Sequence, residues 1–261
     1  MAILGYLLDL DGTVYLGDQL IDGAADAILR LRARGRRLVF LTNKPLYSRS
    51  DYARKLTLLG IKTTRDQVIN SSYVLASHLA KSDPGAKVYA IGEPPLLEEL
   101  TDAGLSICDD TDQIEYVIAA FDRSFDYNKL NIGFQAIMNG AHFVATNPDR
   151  TCPVKGGEIP DAAGVIAALE ATTGKKVEIV FGKPSALMVS AAIDRLGVEH
   201  NKCIMVGDRL ETDMKMAKDS GLIAILTLTG VTSRSQLASS EIQPDYIIND
   251  ISELPDLDEH L

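Results

Sequence analysis

Short apolar runs alternate along this chain with segments whose apolar residues recur every three or four positions, the rhythm of βα units feeding a parallel sheet. Residues 5–10 (GYLLDL) read as a buried strand. Residues 22–35 follow as a helix, with Asp22 at its N-cap, Ile28, Leu29 and Leu31 toward the core, and Gly35 at its stop. Residues 38–42 (LVFLT) form the second strand and 50–60 the second helix. Later strands are expected at 177–181 (VEIVF), 202–206 (KCIMV), 222–228 (LIAILTL) and 246–248. Between them lie a helix at 184–197, opened by proline and closed by glycine, and another ending at Gly221. Met188, Ala192 and Leu196 are spaced as core positions on one helix face.

The middle of the chain carries its own series, with strands at 87–91, 116–120 and 142–146. Turn-rich seams, Asp83-Pro84-Gly85 and Thr173-Gly174-Lys175, flank it. The fold class expected is α/β: a Rossmann-like, doubly wound parallel sheet made of residues 1–82 and 179–261, interrupted by an inserted α/β cap domain at 83–178.

Polar clusters follow the core strands. They are Asp9-Leu10-Asp11-Gly12-Thr13, Thr42-Asn43, Gly182-Lys183-Pro184 and Gly207-Asp208-Arg209-Leu210-Glu211-Thr212-Asp213. Open parallel sheets bind ligands beyond the carboxyl ends of their strands, so these clusters converge on one edge. Their contents suit a divalent cation and a phosphoryl group. Mg²⁺ is a hard cation held by one or two carboxylates plus phosphate oxygens, and Asp9 with Asp208 can supply them. Lys183 offers a fixed positive charge, and Thr42 with the Asn43 amide offers hydrogen bonds. Gly12 lets backbone N–H groups approach a phosphate. Asp11, a second carboxylate two residues from Asp9, is the candidate general acid and base.

These four ordered motifs resemble those of the haloacid dehalogenase superfamily. The resemblance implies that Asp9 is the nucleophile, through an aspartyl-phosphate, and that Asp11 is the acid/base. It also implies Mg²⁺ on the Asp9 carboxylate, the Asp11 main-chain oxygen and Asp208, with Asp213 supporting. Aspartate at position 11 favours phosphoryl transfer over dehalogenation in that superfamily. Residues 120–130 and 140–149 resemble the large α/β cap of its NagD-type branch, which includes p-nitrophenyl phosphatases, nucleotide monophosphatases and phosphoglycolate phosphatases. Lys44 stands where asparagine is common there, and Pro160-Asp161-Ala162-Ala163-Gly164 replaces a Pro-Gly-x-Gly. Lys44, Arg49, Asn147, Asp149 and Arg150 are candidate contacts at the substrate's edge. Caps of this type often mediate dimers, so a homodimer through the cap is an expectation by analogy.

Composition narrows the partners. Hydrophobic residues make up 46% and charged residues 24% of 261, an ordinary globular balance. A formal net charge of -10 argues against nucleic acid and anionic membranes, which demand a basic face. No apolar run approaches the ~20 residues that span a bilayer, and residues 1–10 lack a basic leader pattern. Cys108, Cys152 and Cys203 are widely spaced, which suits thiols in a reducing cytoplasm. The four histidines show no zinc-binding spacing. The expected function is hydrolysis of small phosphorylated metabolites, with a phosphomutase or a silent phosphometabolite-binding protein as the competing readings.

Overall fold

A computed structural model describes residues 3–154 and 156–261. The chain divides into two compact units, residues 1–42, 49–69 and 183–261 in the first and residues 43–48 and 70–182 in the second.

The first unit is built on a six-stranded sheet in the order Tyr246–Ile248, Ile223–Thr227, Cys203–Gly207, Gly5–Asp9, Arg37–Thr42, Val68–Asn70. Gly5–Asp9 runs at its centre, parallel to Cys203–Gly207 on one side and Arg37–Thr42 on the other. Every residue of that strand is buried, as a strand covered by helices on both faces requires. Alternation assigns the faces. Tyr6, Leu8, Phe40, Ile204 and Val206 join Ile28 and Leu31 of the helix Ala24–Ala33 in one core cluster. Met188, Ala192 and Leu196 of the helix Ala186–Leu196 are buried as the spacing requires.

Two details differ from the sequence reading. Leu29 is exposed, because the core-facing stripe of its helix runs through Ala24, Ala27, Ile28 and Leu31. That helix starts from Gly23 in a left-handed conformation, with no side-chain cap, so Asp22 does not cap it.

The short C-terminal helix Leu254–Asp258 is tied to the central strand through a buried carboxylate. Tyr6 Oη donates to Asp258 Oδ1 at 2.6 Å, Arg36 Nε donates to the same oxygen at 2.9 Å, and Arg34 Nη1 reaches Oδ2 at 3.2 Å. Burial pushes the Asp258 carboxyl upward, but the bonds from Tyr6, Arg36 and Arg34 outweigh it and hold it below its ordinary range. Removing the carboxylate leaves two guanidiniums and a phenol without their partner. Asp258→Ala is therefore expected to cost about 3 kcal/mol, discounted for the partly exposed arginines, and to lower Tm by ~5–10 °C. A depressed folded-state pKa makes this contribution present above the unfolded carboxylate value of about 4, and lost as pH falls through the folded one. The wild-type advantage over the variant should accordingly shrink in acid melts; an advantage independent of pH would contradict the assignment.

The second unit holds a five-stranded parallel sheet in the order Ile179–Val180, His142–Ala145, Tyr116–Ala119, Lys87–Ile91, Ser106–Ile107. Ile91, Val117, Ala119, Phe143 and Ala145 pack on Ala136, Ile137, Val165 and Leu169 of the helices Tyr127–Met138 and Ala162–Thr173. Here the sequence reading needs correction. The VEIVF run is an edge strand of this second sheet, where Ile179 and Val180 pair with Val144 and Ala145. Val68–Asn70, not read as a strand, takes an edge of the first sheet instead. Apolar pattern marks a buried strand but does not say which sheet it joins. The helix Ser71–Ser82 falls with the second unit, where it packs on Pro94–Asp102, so the division lies ahead of the Asp83-Pro84-Gly85 turn.

Candidate active site

The strand Gly5–Asp9 delivers Asp9 at its carboxyl end, and a tight turn follows at once. Val14 N–H donates to Leu10 O at 2.9 Å and Gly12 N–H to Tyr15 O at 2.8 Å. Gly12 sits at φ +95, a left-handed conformation suited to glycine, and a Cβ there would drive into the Asp208 carboxylate. Asp11 is half-buried within this turn and bridges to Tyr15. Thr42 ends the neighbouring strand and is buried, one residue past Leu41, which is in register with Asp9.

Cys203–Gly207 carries Asp208 to the same edge. The chain then enters a π-turn, Leu210–Met214, in which Met214 N–H donates to Arg209 O, five residues back, at 3.1 Å. The turn swings Asp213 back over the strand's end. A Cβ on Gly207 would collide with the Asp213 side chain, so that position is held open by a glycine. Arg209 N–H donates to Asp213 Oδ2 at 3.1 Å.

Asp9, Asp208 and Asp213 together place carboxylate oxygens within 4.8 Å of one another. Lys183 is buried among them, donating to Asp9 Oδ1 in a short bond and to Asp213 Oδ1 at 2.7 Å. Three carboxyl groups face one ammonium in a buried site. Burial pushes the Asp9 carboxyl up to about 8, with Lys183 opposing the shift and Asp213 and Asp208 adding to it. Burial likewise raises Asp208 to about 6, helped by Asp213 and opposed by the Val231 N–H. Burial pulls the Lys183 ammonium down, but Asp213 and Asp9 outweigh it and hold it above its ordinary value.

Asp208 Oδ1 is buried with no hydrogen-bond partner among the described residues. An orphaned carboxylate oxygen among three buried carboxyl groups that share one ammonium is a poor arrangement for protein alone and a good one for a hard divalent cation. The donor set therefore fits such an ion, with Asp9, Asp208 and Asp213 as the residues in reach.

Asn43 has partners of its own. Its side-chain Nδ2 donates to Asp149 Oδ2 at 3.0 Å, and its carbonyl accepts from Ser71 Oγ at 2.9 Å. Asp149 Oδ2 also accepts from Asn147 Nδ2 at 3.1 Å, which donates in turn to Asp161 Oδ1 at 3.1 Å. Asp161 caps the helix Ala162–Thr173 through the Ala162 N–H. So Asn147 and Asp149 belong to a bonded polar cluster of the second unit, and the Asp161 that stands in the Pro160–Gly164 segment is a helix cap.

One part of the site went unread in the sequence. Past the strand Ile223–Thr227, Val231 N–H donates to Asp208 Oδ2 at 2.6 Å and Thr229 Oγ1 donates to Gly12 O at 2.6 Å. Gly230 lies so close that a Cβ would overlap the Asp208 carboxylate. The signal was available: the run Thr227-Leu228-Thr229-Gly230-Val231-Thr232 follows a strand's carboxyl end as the other clusters do. Gly230→Ala should displace Asp208 and weaken metal binding by about 10–100-fold, read as the metal concentration giving half-maximal activity. An unchanged metal requirement would remove Gly230 from the account.

Comparison with known proteins agrees with this geometry. Residues 6–106 match the haloacid dehalogenase-like hydrolase family, and residues 180–254 match a HAD-hydrolase-like family. The sugar-phosphatase AraL of Bacillus subtilis is 38% identical over 255 residues, covering 98% of this chain and 93% of that protein. The crystal structure of 4-nitrophenylphosphatase from Thermotoga maritima superposes with a TM-score of 0.93 at 35% identity, covering 97% of each chain. Glycerol phosphate phosphatase from Mycobacterium tuberculosis, solved in complex with magnesium, gives a TM-score of 0.89 at 32% identity over 97% of this chain and 76% of that one. The chain belongs to the haloacid dehalogenase-like hydrolases, in their NagD-type and p-nitrophenyl phosphatase branch, and is a phosphatase. No helix among the described residues is long and apolar enough to cross a membrane.

Proposed function

We propose that this chain is a Mg²⁺-dependent phosphomonoester hydrolase acting on small phosphorylated metabolites, with Asp9 as nucleophile and Asp11 as general acid and base. The observation that carries the reading is Lys183 held between Asp9 and Asp213, beside a carboxylate oxygen of Asp208 that has no protein partner.

In the proposed first step an Asp9 carboxylate oxygen bonds to phosphorus as the ester P–O bond breaks, and Asp11 gives its proton to the departing alkoxide. In the second, Asp11 takes a proton from water, whose oxygen bonds to phosphorus; the bond to Asp9 breaks, releasing phosphate and the free carboxylate. The Lys183 ammonium fixes the orientation of Asp9 and offsets negative charge on the phosphoryl oxygens. Thr42 and Gly12 stand at the same strand edge to hydrogen-bond them. A bound Mg²⁺, held by Asp9 and Asp208 with Asp213 behind them, would supply the positive charge that lets two anions meet. The second unit is proposed to carry the determinants of leaving-group choice. Cys108, Cys152 and Cys203, none of them in a disulfide among the described residues, suit a cytoplasmic setting.

Sugar phosphates are the substrate class to test first, since the 38% identical AraL is a sugar-phosphatase. Phosphate release is measured from sugar phosphates, nucleoside monophosphates, phosphoglycolate and p-nitrophenyl phosphate, with Mg²⁺ and with chelator. Mg²⁺-dependent turnover with sugar phosphates ranked highest is expected. No release from any of them would sink the hydrolase reading and bring forward the mutase or a silent binder.

A further inference from the structure

The first unit contains a charged cavity that the proposed chemistry does not use. It lies where the strand Arg37–Thr42 begins, whereas the catalytic groups gather where that strand ends. Five residue steps at ~3.3 Å each put the two edges roughly 17 Å apart. The cavity measures about 560 Å³, and its walls include Arg32, Arg36, Arg37, Asp66, Arg195 and Leu196. Four guanidiniums line one cavity in a chain whose net charge is -10.

Two of them face carboxylates: Arg36 bonds to Asp258, and Arg195 pairs with Asp66 at 3.1 Å. The other two meet carbonyl oxygens. Arg37 Nη1 donates to Leu196 O at 2.8 Å and Gly197 O at 3.1 Å, and Arg32 Nη1 donates to Lys62 O at 2.8 Å. Arg32 Nη2 is buried with no hydrogen-bond partner among the described residues. An adjoining cavity of about 370 Å³ is also lined by Arg32 and adds Lys62 and Asp26, whose charges offset each other. The two cavities thus share an arginine with donor capacity to spare, in surroundings with more guanidiniums than carboxylates. The end of the helix Ala186–Leu196 would by itself repel an anion. Arg37, bonded to its last carbonyls, cancels that repulsion.

We propose that this pocket is a non-catalytic binding site for a compact polyanion of the diphosphate type, gripped by the forked guanidiniums of Arg32, Arg37 and Arg195. Two linked phosphates are attracted by the surplus positive charge and offer enough acceptor oxygens to use donors that an inorganic monoanion would leave idle. The leucine wall leaves room for a small apolar or sugar-like appendage.

The test uses thermal melts of the whole protein in chelator with pyrophosphate. Without metal the catalytic carboxylates repel anions, so stabilisation reports the arginine pocket and is independent of the catalytic reading. Pyrophosphate at about ten times its Kd should raise Tm by roughly 3 °C. Arg32→Gln combined with Arg195→Gln should abolish the shift. Arg32→Lys, which keeps the charge but loses the fork, should weaken binding by about tenfold and serves if the double variant does not fold. No shift in the wild type, an equal shift from sodium chloride at matched ionic strength, or an undiminished shift in the variants would each overturn the proposal.

Discussion

Asp9→Asn is expected to lower kcat/KM by at least about ten-thousand-fold, the scale on which removal of a nucleophile acts, while the protein stays folded. An amide keeps the shape of the side chain and still accepts from Lys183, whose second bond, to Asp213, is untouched. Substitution also leaves one ionisable carboxyl fewer in a buried cluster where burial already disfavours the charged form of Asp9. The metal-free variant should therefore melt no lower than wild type near neutral pH. Phosphate release and a melting curve on the same sample check both halves. A loss of less than tenfold would remove Asp9 from the nucleophile's role, and a collapsed fold would make the activity loss structural.

Lys183→Met carries the second large effect, and it divides differently between stability and rate. The lysine is buried and bonds two carboxylates from separate segments, so its removal leaves Asp9, Asp208 and Asp213 facing one another with no internal cation. Breaking a buried pair by deleting one partner costs about 3–5 kcal/mol, and the expected fall in Tm in chelator is roughly 10 °C. Mg²⁺ should recover part of that loss, because a divalent ion that binds only the folded state adds stability by mass action. Activity at saturating Mg²⁺ should still drop by about a hundredfold or more, since one fixed charge on the phosphoryl oxygens is gone. A variant as stable in chelator as the wild type would mean that Lys183 does not balance the carboxylates.

The sequence conveyed most of the first sheet because its central strands are buried on both faces and so read as unbroken apolar runs; Gly5–Asp9 and Cys203–Gly207 lie within a residue of where the pattern puts them. Pattern fails where strands are short or membership depends on distant partners. Ile179–Val180 has only two paired residues, and its place beside His142–Ala145 is settled by tertiary pairing. Val68–Asn70 is only three residues long, too short to show a pattern of its own. The site was legible for a related reason. Its chemistry sits immediately after strands, so Asp9, Asp208 and Lys183 could be nominated from position alone, and the structure brings them together with Asp213. What sequence could not convey was why the glycines are there. Gly12 and Gly230 flank the Asp208 carboxylate from loops more than two hundred residues apart, and only the fold reveals that both make room for one side chain. Asn43 illustrates the same limit, since its partnership with Asp149 depends on a segment a hundred residues away.

The central claim is that the phosphoryl group passes through Asp9, and rapid quench of Asp11→Asn with p-nitrophenyl phosphate and Mg²⁺ tests it most directly. Nitrophenolate is a good leaving group that needs little help from an acid, while release of phosphate from the enzyme still needs a base. The account predicts a burst of nitrophenolate close to one per enzyme, slow turnover afterwards, and an acid-quenched peptide phosphorylated at Asp9. Slow turnover with no burst and no phosphorylated Asp9 would contradict it.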